Sequence, residues 1–265
     1  MYELQYTKPS NTTSAVAEFD KSQDGKYLAG GMTLIPTLKA RLATSDLLID
    51  LKDSNLSGIS VTSNNVVIGS MTRHCDVANS VDIKKSIPSL AKLAGGIGDH
   101  MVRNCGTMGG SVANNDPSAC YPSAVLALDA TITTNLRSIS SEDYFIGMFE
   151  TALNSNEIIT QITFPIPDKS AYIKFPNPAS RYAMVGVFMA KTGNKVNVAI
   201  TGASENGVFR SSEIENALSS SCTLESLDTL SISSDGLISD IHASSNYRAN
   251  LIKEMAKRAL KEIIT

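Results

Sequence analysis

Two short stretches of this chain combine residue types able to hold an anion through the backbone: Tyr27-Leu28-Ala29-Gly30-Gly31-Met32-Thr33-Leu34 and Thr107-Met108-Gly109-Gly110-Ser111. Each centres on adjacent glycines, which lack a Cβ, so the main chain can take positive φ and bring its N–H groups close to a ligand. A phosphate requires such converging donors. Either stretch alone would serve equally as a ligand-free corner; the pair, with one shared character, points to a single bound anion. The remaining chemistry-bearing residues form no site. Cys75, Cys105, Cys120 and Cys222 stand far apart with no C-x-x-C pair, which excludes a zinc ribbon or a ferredoxin-type cluster. His74, His100 and His242 fall at no ligand-like spacing and read as ordinary surface or satisfied core side chains. Gly96-Ile97-Gly98-Asp99-His100-Met101 lacks the last glycine of G-x-G-x-x-G, and there is no P-loop or G-x-S-x-G elbow. Without an activated nucleophile or an acid–base pair, chemistry falls to a bound cofactor.

The elements that must position these stretches follow from periodicity. Tyr2–Tyr6 reads as a strand, Ala15–Phe19 as helix, and Lys26-Tyr27-Leu28-Ala29 as a strand running into Gly30-Gly31; Leu34, Ile35, Leu38 and Leu42 then recur at helical spacing behind Thr33 as N-cap. Strand, glycine turn and helix start together aim free N–H groups above the turn. Leu47–Leu51 is a buried strand, and Gly58–Thr62 with Val66–Gly69 a hairpin. Ile87, Leu90, Ala91, Ala94, Ile97 and Met101 form one helical face capped by Ser86, softened by Gly95, Gly96 and Gly98 so that a flat ring could approach. Ser123–Leu128 reads as helix, Ala130–Thr134 as a strand on which Asp143-Tyr144-Phe145 and Met148-Phe149 pack, and Glu157–Pro165 as a strand stopped by Pro165-Ile166-Pro167. The domain boundary is placed there. Tyr172–Phe175, Met184–Ala190 and Val196–Ile200 follow as an antiparallel set, Ser211–Ser245 as loops and short helices, and the segment from Ser245 as an amphipathic helix.

The chain has 265 residues, 42% of them hydrophobic, enough for two domains with sizeable cores. A net charge of −3 and the lack of any Lys/Arg patch exclude nucleic acid as a partner. No run of about twenty apolar residues and no leader pattern is present, so a cytoplasmic location is expected.

Ala29-Gly30-Gly31-Met32-Thr33-Leu34 and Cys105-Gly106-Thr107-Met108-Gly109-Gly110-Ser111-Val112-Ala113-Asn114-Asn115-Asp116-Pro117 resemble the two flavin motifs of the medium FAD subunit of molybdenum hydroxylases, the carbon monoxide dehydrogenase and xanthine dehydrogenase group. Gly147-Met148-Phe149, Glu157-Ile158-Ile159, Tyr172-Ile173-Lys174-Phe175 and Ala179-Ser180-Arg181-Tyr182 extend the resemblance over nearly the whole chain. It implies an α+β fold: an FAD-binding PCMH-type (vanillyl-alcohol-oxidase-like) domain of two α/β lobes over residues 1–167, then a small C-terminal domain of antiparallel sheet plus helices over residues 170–265. It implies FAD as cofactor, with Tyr27, Leu28, Ala29, Gly30, Gly31, Met32, Thr33 and Leu34, and Thr107, Met108, Gly109, Gly110 and Ser111, along the diphosphate and ribityl chain. Ile97 would lie against the cofactor, Ile159 would meet the adenine end through its backbone, Lys174 would sit near flavin or phosphates, and Tyr182 would stand by the isoalloxazine. Many relatives carry an aspartate where this chain has Cys120; a thiol accepts hydrogen bonds only weakly, which leaves two expectations open, a lower FAD affinity or compensation by Asn114 and Asp116.

The function so implied is electron transfer: a small 2Fe-2S partner reduces FAD, which passes electrons to a small-molecule acceptor, while a large molybdenum-cofactor subunit oxidises the substrate in a heterohexamer-like assembly. No residue of this chain is assigned a catalytic role. Two alternatives stay open, a stand-alone FAD-dependent reductase or oxidase and an FAD-free scaffold subunit.

Overall fold

The computed structural model covers residues Met1–Thr265. Its first lobe runs β1 (Gln5–Thr7), α1 (Thr12–Phe19), β2 (Gly25–Leu28), α2 (Leu34–Lys39) and β3 (Leu47–Asp50). A helix joins each strand to the next, so all three are parallel, in the order β1-β3-β2. Asn11 caps α1 by accepting from the Ser14 N–H at 2.8 Å. The lobe's core of Ala15, Ile49 and Leu51 is completed by Met71 and Ile158 from the next part of the chain. So small a core does not stand alone, and sharing it fixes the first lobe against the second.

The second lobe comprises β4 (Ile59–Val61), β5 (Asn65–Gly69), α3 (His74–Asn79), α4 (Val81–Ser86), α5 (Pro88–Gly95), α6 (His100–Cys105), α7 (Met108–Asn114), α8 (Tyr121–Ala127), β6 (Thr131–Thr134), β7 (Ser138–Ser140), α9 (Ser141–Tyr144), the short hairpin β8 (Phe145–Gly147) and β9 (Glu150–Thr151), and β10 (Ile159–Pro165). Its sheet, β4-β5-β10-β6-β7, is antiparallel throughout, with the last strand in sequence at its centre. Alternate residues Val66 and Ile68 of β5 and Ile162 and Phe164 of β10 join Leu90, Leu93, Val112 and Val125 of the helices in one core.

The last part holds β11 (Lys169–Pro176), β12 (Ala183–Thr192), β13 (Lys195–Thr201), β14 (Phe209–Arg210), α10 (Ser212–Ser220), α11 (Glu225–Asp228) and α12 (Ser245–Ile264). Ala183 to Ala190 of β12 are all buried, because both faces of this antiparallel sheet are covered. Phe188 and Ala190, with Tyr172 and Ala199, enter the second-lobe core, while Val185, Val187 and Met189 meet Leu251, Ile252, Met255 and Ala256 of α12. Buried Arg248 of α12 donates to the carbonyls of Met184 and Gly202 at 2.6 and 2.8 Å and pairs with Asp240 at 2.7 Å. No helix is long and apolar enough to cross a membrane.

Five local expectations change. Leu42, read on the helix behind Thr33, lies beyond the end of α2 at Lys39 and is exposed. The first strand is Gln5–Thr7, starting three residues later and ending one residue later than the pattern suggested. Ser86 ends α4 rather than capping the next helix; Ile87 takes that place with Pro88 at the first turn. The glycines at 95, 96 and 98 stop α5 instead of softening it, so Met101 belongs to a separate helix and is 71% exposed. Tyr144 packs as expected, but Met148 and Phe149 project from the β8–β9 hairpin, 45% and 57% exposed.

Candidate FAD site

A cavity of about 620 Å³ lies where the turn after β2, the junction of α6 with α7, and the loop between β11 and β12 meet. The two glycine segments are in direct contact there. A Cβ on Gly30 would collide with the Cys105 carbonyl and stand 2.7 Å from Gly106 Cα; one on Gly110 would stand 3.4 Å from Ala29 Cβ. Glycine is required at Gly30 because backbone meets backbone, with no side chain able to move aside.

The two bends differ in what they offer. Gly31 has φ +70, and none of the backbone N–H groups from Gly30 to Thr33 donates to another protein atom. The carbonyls of Gly31 and Thr33 are in use, accepting from Ile35 and Thr37 at 3.1 Å each. A run of unpaired amides around a left-handed glycine is an anion-binding concavity. Thr33 stands at the N-cap position of α2, yet its side chain makes no capping bond. The second bend takes a different form. Gly109 and Gly110 are helical, and the amides of Met108 and Gly109 donate to the carbonyls of Thr72 and Ser70 at 3.0 and 2.8 Å. Gly110 N–H goes to Thr107 Oγ1 at 3.2 Å, and Ser111 N–H to the Thr107 carbonyl at 3.1 Å. The expectation that both bends present free amides is therefore corrected: the second spends its amides on fixing α7, and its glycines serve close packing. A Cβ on Gly109 would lie 2.8 Å from the Ser70 carbonyl oxygen.

The walls carry a sparse set of polar groups. Burial pushes the Asp116 carboxyl up against the opposing bond from the Ser118 N–H at 2.8 Å. Burial, then Asp116 and Cys120, push the Tyr182 phenol up. Lys174 Nζ donates to the Gly96 carbonyl at 2.7 Å, the Arg181 carbonyl at 3.1 Å and Cys120 Sγ at 3.6 Å. Glu157 is held down to about 2: burial alone would raise it, but Arg137 Nε at 3.0 Å, the Asn154 N–H and Thr134 Oγ1 more than offset that. Burial, then the nearby Arg103, lower His74 to about 4.

Of the residues predicted to bind the cofactor, Tyr27, Ala29 to Leu34, Ile97, Thr107, Gly109 to Ser111, Asn114, Asp116, Cys120, Ile159, Lys174 and Tyr182 line this one cavity. Leu28 and Met108 do not; Met108 is fully buried in the second-lobe core. Ser70 and His74 line it as well and had no motif signal of their own; Glu157 and Arg181 also line it, and although they fall in segments that carry the resemblance, neither was singled out as a site residue. His74 departs from the satisfied core residue expected, since its buried Nδ1 has no hydrogen-bond partner, and the buried Ser70 hydroxyl beside Gly109 has none either.

These features fit a dinucleotide: unpaired amides for a diphosphate, a backbone approach that any Cβ would fill, and mixed apolar and polar walls of suitable volume. Residues 2–167 match the family model described as FAD binding domain in molybdopterin dehydrogenase. The chain is 31% identical to the glyceraldehyde dehydrogenase medium chain of Sulfolobus acidocaldarius, over 98% of each protein. It is 30% identical to the carbon monoxide dehydrogenase medium chain of Hydrogenophaga pseudoflava, over 97% of this chain and 96% of that one. Among solved structures, carbon monoxide dehydrogenase from Hydrogenophaga pseudoflava superposes with a TM-score of 0.88 at 28% identity, covering 99% of this chain and 98% of the other. Quinoline 2-oxidoreductase from Pseudomonas putida 86 does so with a TM-score of 0.88 at 25% identity, over 99% and 97%. The chain thus belongs to the family of FAD-binding domains in molybdopterin dehydrogenases, and is an FAD-binding oxidoreductase subunit of the molybdenum hydroxylase kind.

Proposed function

We propose that the chain holds FAD with its diphosphate on the amides of Gly30 to Thr33 and passes electrons from the iron–sulfur centres of a small 2Fe-2S partner to an external small-molecule acceptor. A large molybdenum-cofactor subunit would carry substrate oxidation in the same heterohexamer-like assembly, residues 1–167 forming the FAD-binding unit and 170–265 the C-terminal domain. The observation that carries this reading is the convergence of both glycine bends on one cavity, Gly30 against Cys105 and Gly106, with four successive amides left unpaired. Bound FAD would supply the electron-carrying chemistry. The protein's part is to bind and orient: Thr107, Ser111 and Asn114 offer polar side chains beside the amides, Ile97 and Ile159 exclude water, and Tyr182 offers a ring for stacking. No side chain need act as nucleophile. The relatives' names, medium chain in both cases, support a multi-subunit setting. A cytoplasmic location is supported by four cysteines that all remain free.

Co-expression with its genomic neighbours tests the reading. Flavin absorbance in a complex that includes a cysteine-rich small subunit, bleached when that subunit is reduced, is expected. Colourless protein that takes up no added FAD would overturn it, and turnover of a small substrate by the isolated chain would instead favour a stand-alone reductase.

A further inference from the structure

Lys174 sits on β11, outside both glycine bends, and its ammonium has three protons to donate. All three are placed on protein acceptors: the Gly96 carbonyl at 2.7 Å, the Arg181 carbonyl at 3.1 Å and Cys120 Sγ at 3.6 Å. Arg181 and Cys120 line different walls of the cavity, and Gly96 adjoins a third through Ile97. Gly96 closes α5 and is followed directly by Ile97, Arg181 precedes Tyr182, and Cys120 opens α8. The Gly96 carbonyl lies at the negative end of α5, where a cation is favoured.

The Arg181 contact matters most. Arg181 has φ +63, a left-handed conformation that costs a non-glycine residue about 1 kcal/mol or more and persists only where its surroundings hold it. What holds it is a closed turn from Asn177 to Tyr182. The Arg181 N–H donates to the Asn177 carbonyl and the Asn177 N–H to the Tyr182 carbonyl, both at 2.8 Å. Inside the turn, buried Asn177 accepts from the amides of Ala179 and Ser180 at 2.9 and 3.2 Å. Only Lys174 ties this turn to the Gly96 and Cys120 walls by a side-chain hydrogen bond.

We propose that Lys174 is a positioning residue, a strut whose ammonium fixes the Tyr182 turn to the Ile97 and Cys120 walls, and that it acts on FAD through those walls rather than as a ligand. This rests on the cavity being the flavin site. It assigns the lysine a different task from a phosphate-binding cation, since no donor of its ammonium is left for a phosphate.

The test is hydrogen exchange in the full-length chain without cofactor, comparing wild type with Lys174→Met and Lys174→Gln, followed by visible circular dichroism of the same proteins loaded with FAD. Exchange at the amides of residues 177–182 and 96–98 should rise at least about tenfold in both variants, the equilibrium equivalent of one lost charge-assisted hydrogen bond. Lys174→Arg should restore protection, and the loaded Met and Gln variants should keep FAD with an altered flavin dichroism. Unchanged exchange in both segments would overturn the proposal, as would loss of FAD from variants whose exchange matches wild type, the signature of a direct ligand. A wild-type chain that takes up no FAD would fail the flavin reading separately, because the exchange comparison uses none.

Discussion

Replacing Gly30 by alanine adds one methyl group at the point where the two bends touch. That methyl would collide with the Cys105 carbonyl and lie 2.7 Å from Gly106 Cα, distances real Cβ atoms do not adopt. Both obstacles are backbone, so relief means moving the turn after β2 away from the α6–α7 junction. Overpacking of this kind costs about 1–3 kcal/mol. FAD binding needs the bends in their original places, so most of that cost should reappear as lost affinity, roughly 5- to 150-fold. Gly95→Ala supplies the control: its new Cβ would be 3.8 Å from Ala78 Cβ, an ordinary contact, and alanine favours the helix. Fluorescence titration with FAD, alongside a thermal melt of each cofactor-free protein, reads both effects. Gly30→Ala should lose affinity, while Gly95→Ala should bind as wild type with an equal or higher Tm. Wild-type affinity in Gly30→Ala would refute the close approach of the two bends as the basis of the site.

Three further outcomes follow from the electrostatics. His74 is lowered from 6.5 to about 4, so the unfolded chain takes up a proton that the folded chain refuses; stability should fall as pH drops from 6.5 to 4, and His74→Gln should flatten Tm over that window. Glu157 is lowered from 4.5 to about 2, so its contribution is complete above pH 4.5 and lost as pH falls toward 2; Arg137→Met should move acid unfolding to higher pH, read by circular dichroism. Cys120→Asp would set a carboxylate beside Lys174 Nζ, now 3.6 Å from the thiol, and should raise Tm by a few degrees; a lower Tm would show that the pair cannot offset burying a second charge.

Much of this site was legible in the sequence because its signals are local. Adjacent glycines after the strand Lys26–Ala29, Thr33 at the start of the helix that follows, and the strand pattern of Glu157–Pro165 each depend on residues within one element. What was not legible depends on approach between elements. The helical state of Gly109 and Gly110 is set by Ser70 and Thr72, whose carbonyls take the α7 amides across more than thirty residues of chain. Likewise Gly95 and Gly96 end α5 because the chain must turn toward the cavity, and periodicity alone read through them to Met101. His74 and Arg181 reach the cavity only because α3 and the β11–β12 loop fold against it. The exposed Met148 and Phe149 show the reverse error: apolar residues next to a core strand were assigned to that core, while the β8–β9 hairpin carries them outward.

The most direct measurement is the structure of the FAD-loaded protein. The central claim requires the diphosphate oxygens to lie within hydrogen-bonding distance of the amides of Gly30 to Thr33, against the Gly106 to Gly110 segment, with those amides unmoved from their present geometry. A diphosphate placed elsewhere in the cavity, or Gly30 to Thr33 amides that stay without a partner once FAD is bound, would contradict it.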